Sequence, residues 1–118
     1  MTAQEVFDKV ATHLLRQGRK AAIGNLGGGK SCLYRTADGL KCAAGCLIPD
    51  DRYTIEIEGR NVRDSMVVRR LFEDIGFADH IDLICSLQVI HDNHDAWEWR
   101  EQLASLAYLN GLSTAVLS

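Results

Sequence analysis

The sequence predicts an α+β fold that is mostly helical, with about four helices and a small antiparallel β-hairpin or three-stranded sheet. Four segments repeat apolar residues at helical spacing, whereas two short segments show turn signals or period-two alternation instead. The chain has 118 residues, of which 47% are apolar and 25% charged, as in an ordinary globular protein. We therefore expect residues 1–118 to form a single domain.

The first helix is predicted to begin after Thr2, because Thr2 and Glu5 have the spacing of a capping box. Gly18 offers a left-handed end to it. Its predicted core face is Val6, Phe7, Val10, Leu14 and Leu15. Residues 18–31 are rich in glycine and basic side chains, so we expect a flexible loop there rather than core.

The next segments carry the signals of a small sheet. Asp38-Gly39 predicts a tight turn between a short strand and an apolar segment. We expect that segment to become a helix near Cys42 and to end at Pro49, which cannot continue a helix. Residues 53–58, with the sequence YTIEIE, alternate apolar and polar side chains and predict a half-buried strand.

Three more helices are predicted in the second half of the chain. Asp64, Asp79 and Asp95 each precede a segment with helical apolar spacing and are expected to cap it. Gly76 and Gly111 are expected to end the first and the last of these helices.

Charge is unevenly distributed along the chain. Residues 1–48 have seven Lys or Arg against three Asp or Glu, whereas residues 49–118 have six against thirteen, for a net charge of −3. Nonspecific nucleic-acid binding usually needs a basic domain and is therefore not expected. The chain has no apolar run of 18 residues and no basic, apolar leader, so we expect a cytoplasmic protein without a membrane segment.

Residues 24–31, with the sequence GNLGGGKS, match the pattern of a phosphate-binding loop. That chemistry requires a buried strand before the loop and a helix after it, because backbone N–H groups at the helix N-terminus hold the phosphates. The flanking sequence predicts neither element. A flexible basic loop is the favoured interpretation, and phosphate binding is the alternative.

A cysteine hydrolase is a second possibility, with Cys42 as nucleophile, His91 as base and Asp92 as the orienting carboxylate. On a helix, however, Asp92 would point about 100° away from His91 and would be poorly placed to hold the ring. A free cysteine is more often a small core residue. We therefore favour a buried, unreactive Cys42.

Metal binding is weakly indicated by spacing alone. Cys42 and Cys46 could combine with His91 and His94 as zinc ligands, with Cys32 in reserve. Structural zinc sites more often have two residues between paired cysteines. We predict no metal and no other cofactor.

Trp97 and Trp99 are two residues apart and cannot share one face of a helix, so one of them should be partly exposed. We expect Trp99 to be core and Trp97 to cover the neighbouring helix junction. An exposed tryptophan would also be a candidate partner surface.

Two segments together resemble a known family. They are CLYRTADGLKCAAGCLIPDDRY at residues 32–53 and LQVIHDNHDAWEWREQLASLA at residues 87–107. Both are similar to motifs in a family of small uncharacterised bacteriophage and prophage proteins, and the likeness covers most of residues 1–112. Cys46 and the sequence GNLGGGKS depart from the family pattern.

The resemblance implies an accessory role in the bacterial cytoplasm, exerted by binding rather than by catalysis. The expected partner is a bacterial host protein or complex, and one such role is inhibition of a host defence complex, as anti-CRISPR proteins do. We predict Arg35, Gln88, His91 and Asp92 as a polar cluster linking the hairpin to the helices. With Trp97, these are the candidate binding residues. The cluster could be a buried network or the floor of a pocket for a small ligand or nucleotide.

Overall fold

The computed structural model describes residues 1–24 and 29–118, with Lys30 described by its backbone alone. The fold is α+β and mostly helical, as predicted, with a two-stranded antiparallel sheet. Three helices are substantial rather than four, because the second has only seven residues. The helices are α1 (Ala3–Gln17), α2 (Met66–Phe72), α3 (Ile81–Asn93) and α4 (Trp99–Leu109), and the strands are β1 (Ala22–Gly24) and β2 (Lys30–Cys32).

Helix α1 has the ends that the sequence predicts. The Thr2 hydroxyl accepts the N–H of Glu5 at 3.1 Å, and the Glu5 carboxylate accepts the N–H of Thr2 at 2.8 Å. Gly18 ends the helix with φ 65°, in the left-handed region. The buried face consists of Val6, Phe7, Val10, Ala11 and Leu14.

Apart from Cys32, the sheet lies inside residues 18–31, the segment that was predicted to be a loop. Strand β1 pairs with β2 in antiparallel register, with Ala22 opposite Cys32 and Gly24 opposite Lys30. A small antiparallel hairpin was thus predicted correctly, but at the wrong position in the sequence. Its strands have three residues each and no alternating apolar pattern, so no sequence signal marked them.

The predicted Asp38-Gly39 turn is confirmed. Gly39 has φ 92°, and a single antiparallel bridge joins Arg35 to Lys41 on either side of the turn. The helix expected near Cys42 is wrong, since between Cys42 and Pro49 this segment forms a single 3-10 turn, Gly45–Leu47, and no α-helix. Pro49 follows this turn.

Gly45 allows a close approach between two chain segments. A Cβ atom at this position would lie 2.1 Å from the main-chain oxygen of Tyr34. No side chain fits there, because real Cβ contacts are longer than 3 Å. Glycine at position 45 is therefore what lets this segment pack directly against the main chain of Tyr34.

The strand predicted at residues 53–58 is wrong. This segment contains a 3-10 turn, Ile55–Ile57, in which Ile57 is buried and Ile55 is 77% exposed. The Glu58 carboxylate accepts the main-chain N–H groups of Tyr34 at 2.8 Å and Arg35 at 3.1 Å. The Glu58 side chain thus accepts two N–H groups that a neighbouring strand would otherwise bind.

Helix α2 is capped by Ser65 rather than by Asp64. The Ser65 hydroxyl accepts the N–H of Val68 at 3.3 Å, a bond that the neighbouring aspartate was expected to make. The helix runs into a π turn, Glu73–Phe77, where Gly76 has φ 99°. Gly76 therefore marks the end of this helical segment, as predicted.

Helices α3 and α4 differ in how they begin. No side-chain hydrogen bond caps α3, so the predicted cap at Asp79 is wrong. The capping box of Asp95 and Glu98 is confirmed, and α4 follows one turn later. Gly111 adopts φ 65° beyond its C-terminal end.

The core lies where α1, α3 and α4 pack against one another. The C-terminal turn, Ala115–Leu117, packs on α1 and α4. Within the described residues, no helix is both long enough and apolar enough to cross a membrane. The largest fully buried apolar side chains include Phe7, Leu14, Phe72, Leu87, Trp99 and Leu103.

Candidate functional site

His91 is fully buried in the last turn of α3, and both of its ring nitrogens are hydrogen-bonded. Its Nε2 accepts the main-chain N–H of Ala21 at 3.0 Å. Its Nδ1 lies 2.7 Å from Oδ1 of Asp92. An atom that accepts an N–H cannot also carry a proton, so the neutral ring has its hydrogen on Nδ1 and donates it to Asp92.

The contact between His91 and Asp92 corrects the expectation that this carboxylate is poorly placed. Neighbouring helical side chains diverge by about 100° at the backbone. Here the amide of Gln88, one turn earlier on the same side, donates to the same Oδ1 of Asp92 at 2.7 Å. The two donors together hold the carboxylate against the ring.

Gln88 also connects α3 to the segment after the turn. Its Oε1 accepts the main-chain N–H of Ala44 at 2.9 Å. The Lys20 ammonium donates to the main-chain oxygen of Asp92 at 3.1 Å. The predicted polar link between the hairpin region and the helices is therefore present, with Gln88, His91 and Asp92 as its members.

Trp99 packs against this network through its indole ring. Its indole stacks on the His91 ring at 5.5 Å between centroids and 25° between planes. Its Nε1 donates to the main-chain oxygen of His94 at 3.1 Å. The start of α4 is thereby fixed against the end of α3, and Trp99 is fully buried as predicted.

Arg35 belongs to a different cluster. Its guanidinium donates to the main-chain oxygen of Ile48 at 2.7 Å, pairs with Asp50 at 2.8 Å and lies 4.7 Å from the centre of the Tyr53 ring. These contacts hold the segment around Pro49 against the bridge at Arg35. The structure therefore does not bring Arg35 into the network of Gln88, His91 and Asp92.

Cys32, at the end of β2, joins the network instead. Ligand-type atoms of Cys32, His91 and Asp92 all lie within 4.8 Å of one another. Burial, and then the charge of Asp92 and a hydrogen bond to it, raise the pKa of the Cys32 thiol to about 11. At neutral pH Cys32 is therefore a protonated thiol beside Asp92.

The three residues do not fit a metal ion in this arrangement. A metal needs a lone pair from a histidine nitrogen and a deprotonated cysteine. His91 has no such lone pair, because Nε2 accepts the Ala21 N–H and Nδ1 carries the proton.

The zinc set considered from spacing is not brought together. Among the described residues, only Cys32, His91 and Asp92 form a group with ligand geometry. The Cys46 thiol donates to the main-chain oxygen of Ala43 at 3.1 Å, and the His94 ring faces Glu98 at 3.9 Å. These side chains therefore have local structural contacts.

Cys42 has the environment of a core residue. It is 1% exposed, and its sulfur accepts the main-chain N–H of Gly45 at 3.2 Å. Burial raises the pKa of this thiol far above its usual range, even though the Gly45 contact lowers it. A nucleophile needs the opposite, a lowered pKa and access to substrate.

The phosphate-loop pattern has a different structural setting. Gly24 ends β1 and Lys30 begins β2, so an antiparallel strand follows the pattern where a phosphate loop would need a helix. The intervening residues 25–28 lie outside the described part of the chain. The flanking strands thus agree with the interpretation that this is not a nucleotide site.

Trp97 differs from every other aromatic residue discussed above, because its side chain is 81% exposed. It lies in the turn Ala96–Glu98, at the start of α4. The expectation that Trp97 covers the neighbouring helix junction is wrong. The sequence argument that one of the two tryptophans must be exposed is confirmed.

Two functional features escaped sequence reasoning. Cys32 was considered only as a reserve metal ligand, since nothing in the sequence places β2 beside α3. Glu58 was assigned to a strand, and its role as acceptor for two consecutive N–H groups depends on a tertiary contact.

Comparison with known proteins returned no match to a family model, to a curated protein or to a solved structure. The resemblance to bacteriophage proteins therefore stays a prediction.

Proposed function

We propose that this protein acts by binding another protein, and that Trp97 is the centre of the binding surface. The observation that carries the proposal is the 81% exposure of the Trp97 side chain. Leaving so large an apolar group in water is unfavourable, and tryptophan is enriched among the residues that dominate binding energy at interfaces.

The surface beside Trp97 has room for a partner side chain. Ala96, which precedes Trp97, lines a depression of about 360 Å³ together with Ala22 and Lys20. We call the surface formed by this depression and by Trp97, the residue that follows Ala96, the Trp97 face.

Charge at the Trp97 face favours a protein over a nucleic acid as partner. Arg19 and Lys20 line the depression, but so do Asp38 and Asp95. A phosphate backbone would be repelled by the two carboxylates, whereas a protein can place charges of both signs opposite them. The overall net charge of −3 supports the same choice.

The resemblance to phage proteins supports a partner in the bacterial host. An accessory protein of this size can block a larger complex by covering one of its surfaces, which requires no catalytic group. Inhibition of a host defence complex is the specific form of this proposal.

A cysteine hydrolase receives less support from the geometry. His91 would have to release the Ala21 N–H before it could accept a proton, and Cys42 would have to leave the core. Each change costs the free energy of a buried contact. We therefore retain binding as the proposed function.

The proposal is tested by retaining partners from a bacterial lysate on three forms of the protein. These are the wild type, Trp97→Ala and the control Tyr108→Ala, which removes another exposed aromatic, 84% exposed near the far end of α4. We expect one stoichiometric protein to be retained by the wild type and the control, and lost with Trp97→Ala.

The retained protein is then purified, and its affinity for each form is measured by calorimetry. We expect Trp97→Ala to weaken binding by about thirtyfold or more, as for a residue central to an interface. Equal affinity of Trp97→Ala and wild type would contradict the proposal, and so would the absence of any retained protein.

A further inference from the structure

A cleft opens above Asp92, separate from the Trp97 face. The end of β2, residues 59–61 and α3 line a volume of about 320 Å³. A second volume of about 250 Å³, beside residues 61–64, shares Asn61, Gln88 and Asp92 with the first. We call the two volumes together the Asp92 cleft. Its size is in the range of small-molecule sites.

The floor of the cleft is a carboxylate fixed in position. Oδ1 of Asp92 accepts hydrogen bonds from His91 and Gln88, both at 2.7 Å, and the Cys32 thiol is a further donor. These three donors are neutral, so they orient the carboxylate without cancelling its charge. The Asp92 side chain is still 36% exposed.

The ammonium of Lys20 is a nearby cation, but it donates to the main-chain oxygen of Asp92. The carboxylate itself therefore remains available to a ligand. A fixed, partly exposed carboxylate favours a ligand group with a positive charge and N–H donors.

The rim of the cleft carries the opposite charge. Arg60 lines it, and its Nε donates to the main-chain oxygen of Glu56 at 3.1 Å. Nε is occupied by this bond, and the terminal N–H groups of the guanidinium have no hydrogen-bond partner among the described residues. Such a group pairs with a carboxylate or a phosphate.

We propose that the Asp92 cleft binds a small zwitterion, with an ammonium or guanidinium group at Asp92 and an anionic group at Arg60. Asn61 and Gln88 border both volumes of the cleft. Neutral walls formed by Leu33 and Tyr34 suit the aliphatic part of such a molecule. Amino acids with a basic side chain are the simplest ligands of this class.

The probes are arginine and lysine, with citrulline as a neutral isostere of arginine and agmatine as its analogue without the carboxylate. Binding is followed by NMR through the side-chain amide signals of Asn61 and Gln88. We expect arginine or lysine to shift these signals at millimolar concentration. We expect weaker binding, by about tenfold, both for citrulline, whose only cationic group is its α-ammonium, and for agmatine, which lacks the carboxylate.

The matched variants are Arg60→Gln, at the rim, and Arg70→Gln, which replaces an exposed arginine on α2 that does not line the cleft. Arg60→Gln is expected to reduce the affinity for arginine to that of agmatine, and Arg70→Gln to leave it unchanged. Asp92→Asn is expected to abolish binding. If that variant does not fold, the comparison of the four probes on the wild-type protein still tests the proposal.

Three results would each overturn the proposal. They are unchanged amide signals with both arginine and lysine, equal binding of citrulline and arginine, and an Arg60→Gln variant that binds as tightly as Arg70→Gln. None of these measurements involves Trp97 or a protein partner, so their outcome is independent of the proposed function.

Discussion

The Nε2 atom of His91 accepts the main-chain N–H of Ala21 at 3.0 Å, across 70 positions of sequence. This bond attaches the start of the β-hairpin to the end of α3. Asp92, the next residue, receives the Nδ1 proton of the same ring. The two contacts define His91 as a neutral, structural histidine, although its pairing with a carboxylate resembles that of a catalytic base.

The role of His91 predicts a loss of stability in His91→Phe. Phenylalanine keeps an aromatic ring, although a larger one, against Trp99, but the N–H of Ala21 loses its acceptor and Asp92 loses a donor. We expect the free energy of unfolding to fall by about 2–3 kcal/mol in urea denaturation. His94→Phe, at a partly exposed histidine in the same chain segment, should change it by less than about 0.5 kcal/mol. Equal stability of the two variants would be inconsistent with the assigned role.

The contact between Cys32 and Asp92 predicts the reactivity of the thiol. Burial and then the Asp92 carboxylate raise the pKa of Cys32 to about 11, so Asp92→Asn should lower it and increase the thiolate fraction. We expect alkylation of Cys32 at pH 8 to become roughly severalfold faster, measured by peptide mass spectrometry. Asp50→Asn, at an exposed carboxylate, is the control.

Buried Cys42 reports in the same experiment whether Asp92→Asn has loosened the fold. If Cys32 labels at the wild-type rate while Cys42 stays unreactive, the carboxylate does not control the thiol.

The raised thiol pKa values also predict how stability depends on pH. Burial, the largest cause in each case, raises the pKa of Cys32 to about 11 and that of Cys46 to about 12. A raised pKa means that the folded state favours the protonated thiol. The resulting stability is complete below the pKa near 9 of the unfolded thiols, and is lost as pH rises from there to about 12.

The measurement is the urea midpoint of the reduced protein between pH 7 and pH 11. It should be constant at first and fall above about pH 9. Cys32→Ser should reduce this alkaline slope. A midpoint that stays constant to pH 11 in both proteins would refute the explanation.

Gly45→Ala tests the close approach to Tyr34. The new Cβ would lie 2.1 Å from the Tyr34 main-chain oxygen, so the two segments must separate. We expect a loss of about 3 kcal/mol or more. Gly24→Ala is the matched control, because a Cβ there meets no atom of the described residues within 4 Å. Thermal unfolding of both variants decides, and a Gly45→Ala protein as stable as the control would argue against the contact.

Local signals accounted for much of the fold. The capping boxes at Thr2 and Asp95 and the turns at Gly18 and Gly39 were predicted because each depends on residues within a few positions of one another. The part of Gln88 in a polar link between the hairpin and the helices was also predicted, because the resemblance singled it out together with His91 and Asp92.

The features that were missed depend on distant contacts. Strands β1 and β2 have little apolar character, and a prediction from periodicity cannot detect them. The Glu58 carboxylate accepts the N–H groups of Tyr34 and Arg35, which precede it by 24 and 23 positions in the sequence. Arg35 was assigned to the wrong cluster because its partners, Ile48 and Asp50, become neighbours only when the chain turns back.

The most direct test of the central assignment is the tautomer of His91, measured by two-bond ¹H–¹⁵N correlation NMR at neutral pH. The account predicts a neutral ring with the proton on Nδ1, and a hydrogen-bond coupling between the Ala21 amide and Nε2. A proton on Nε2 would contradict it, because the ring could not then accept the Ala21 N–H, and His91 would be free for the catalytic or metal-binding roles rejected above.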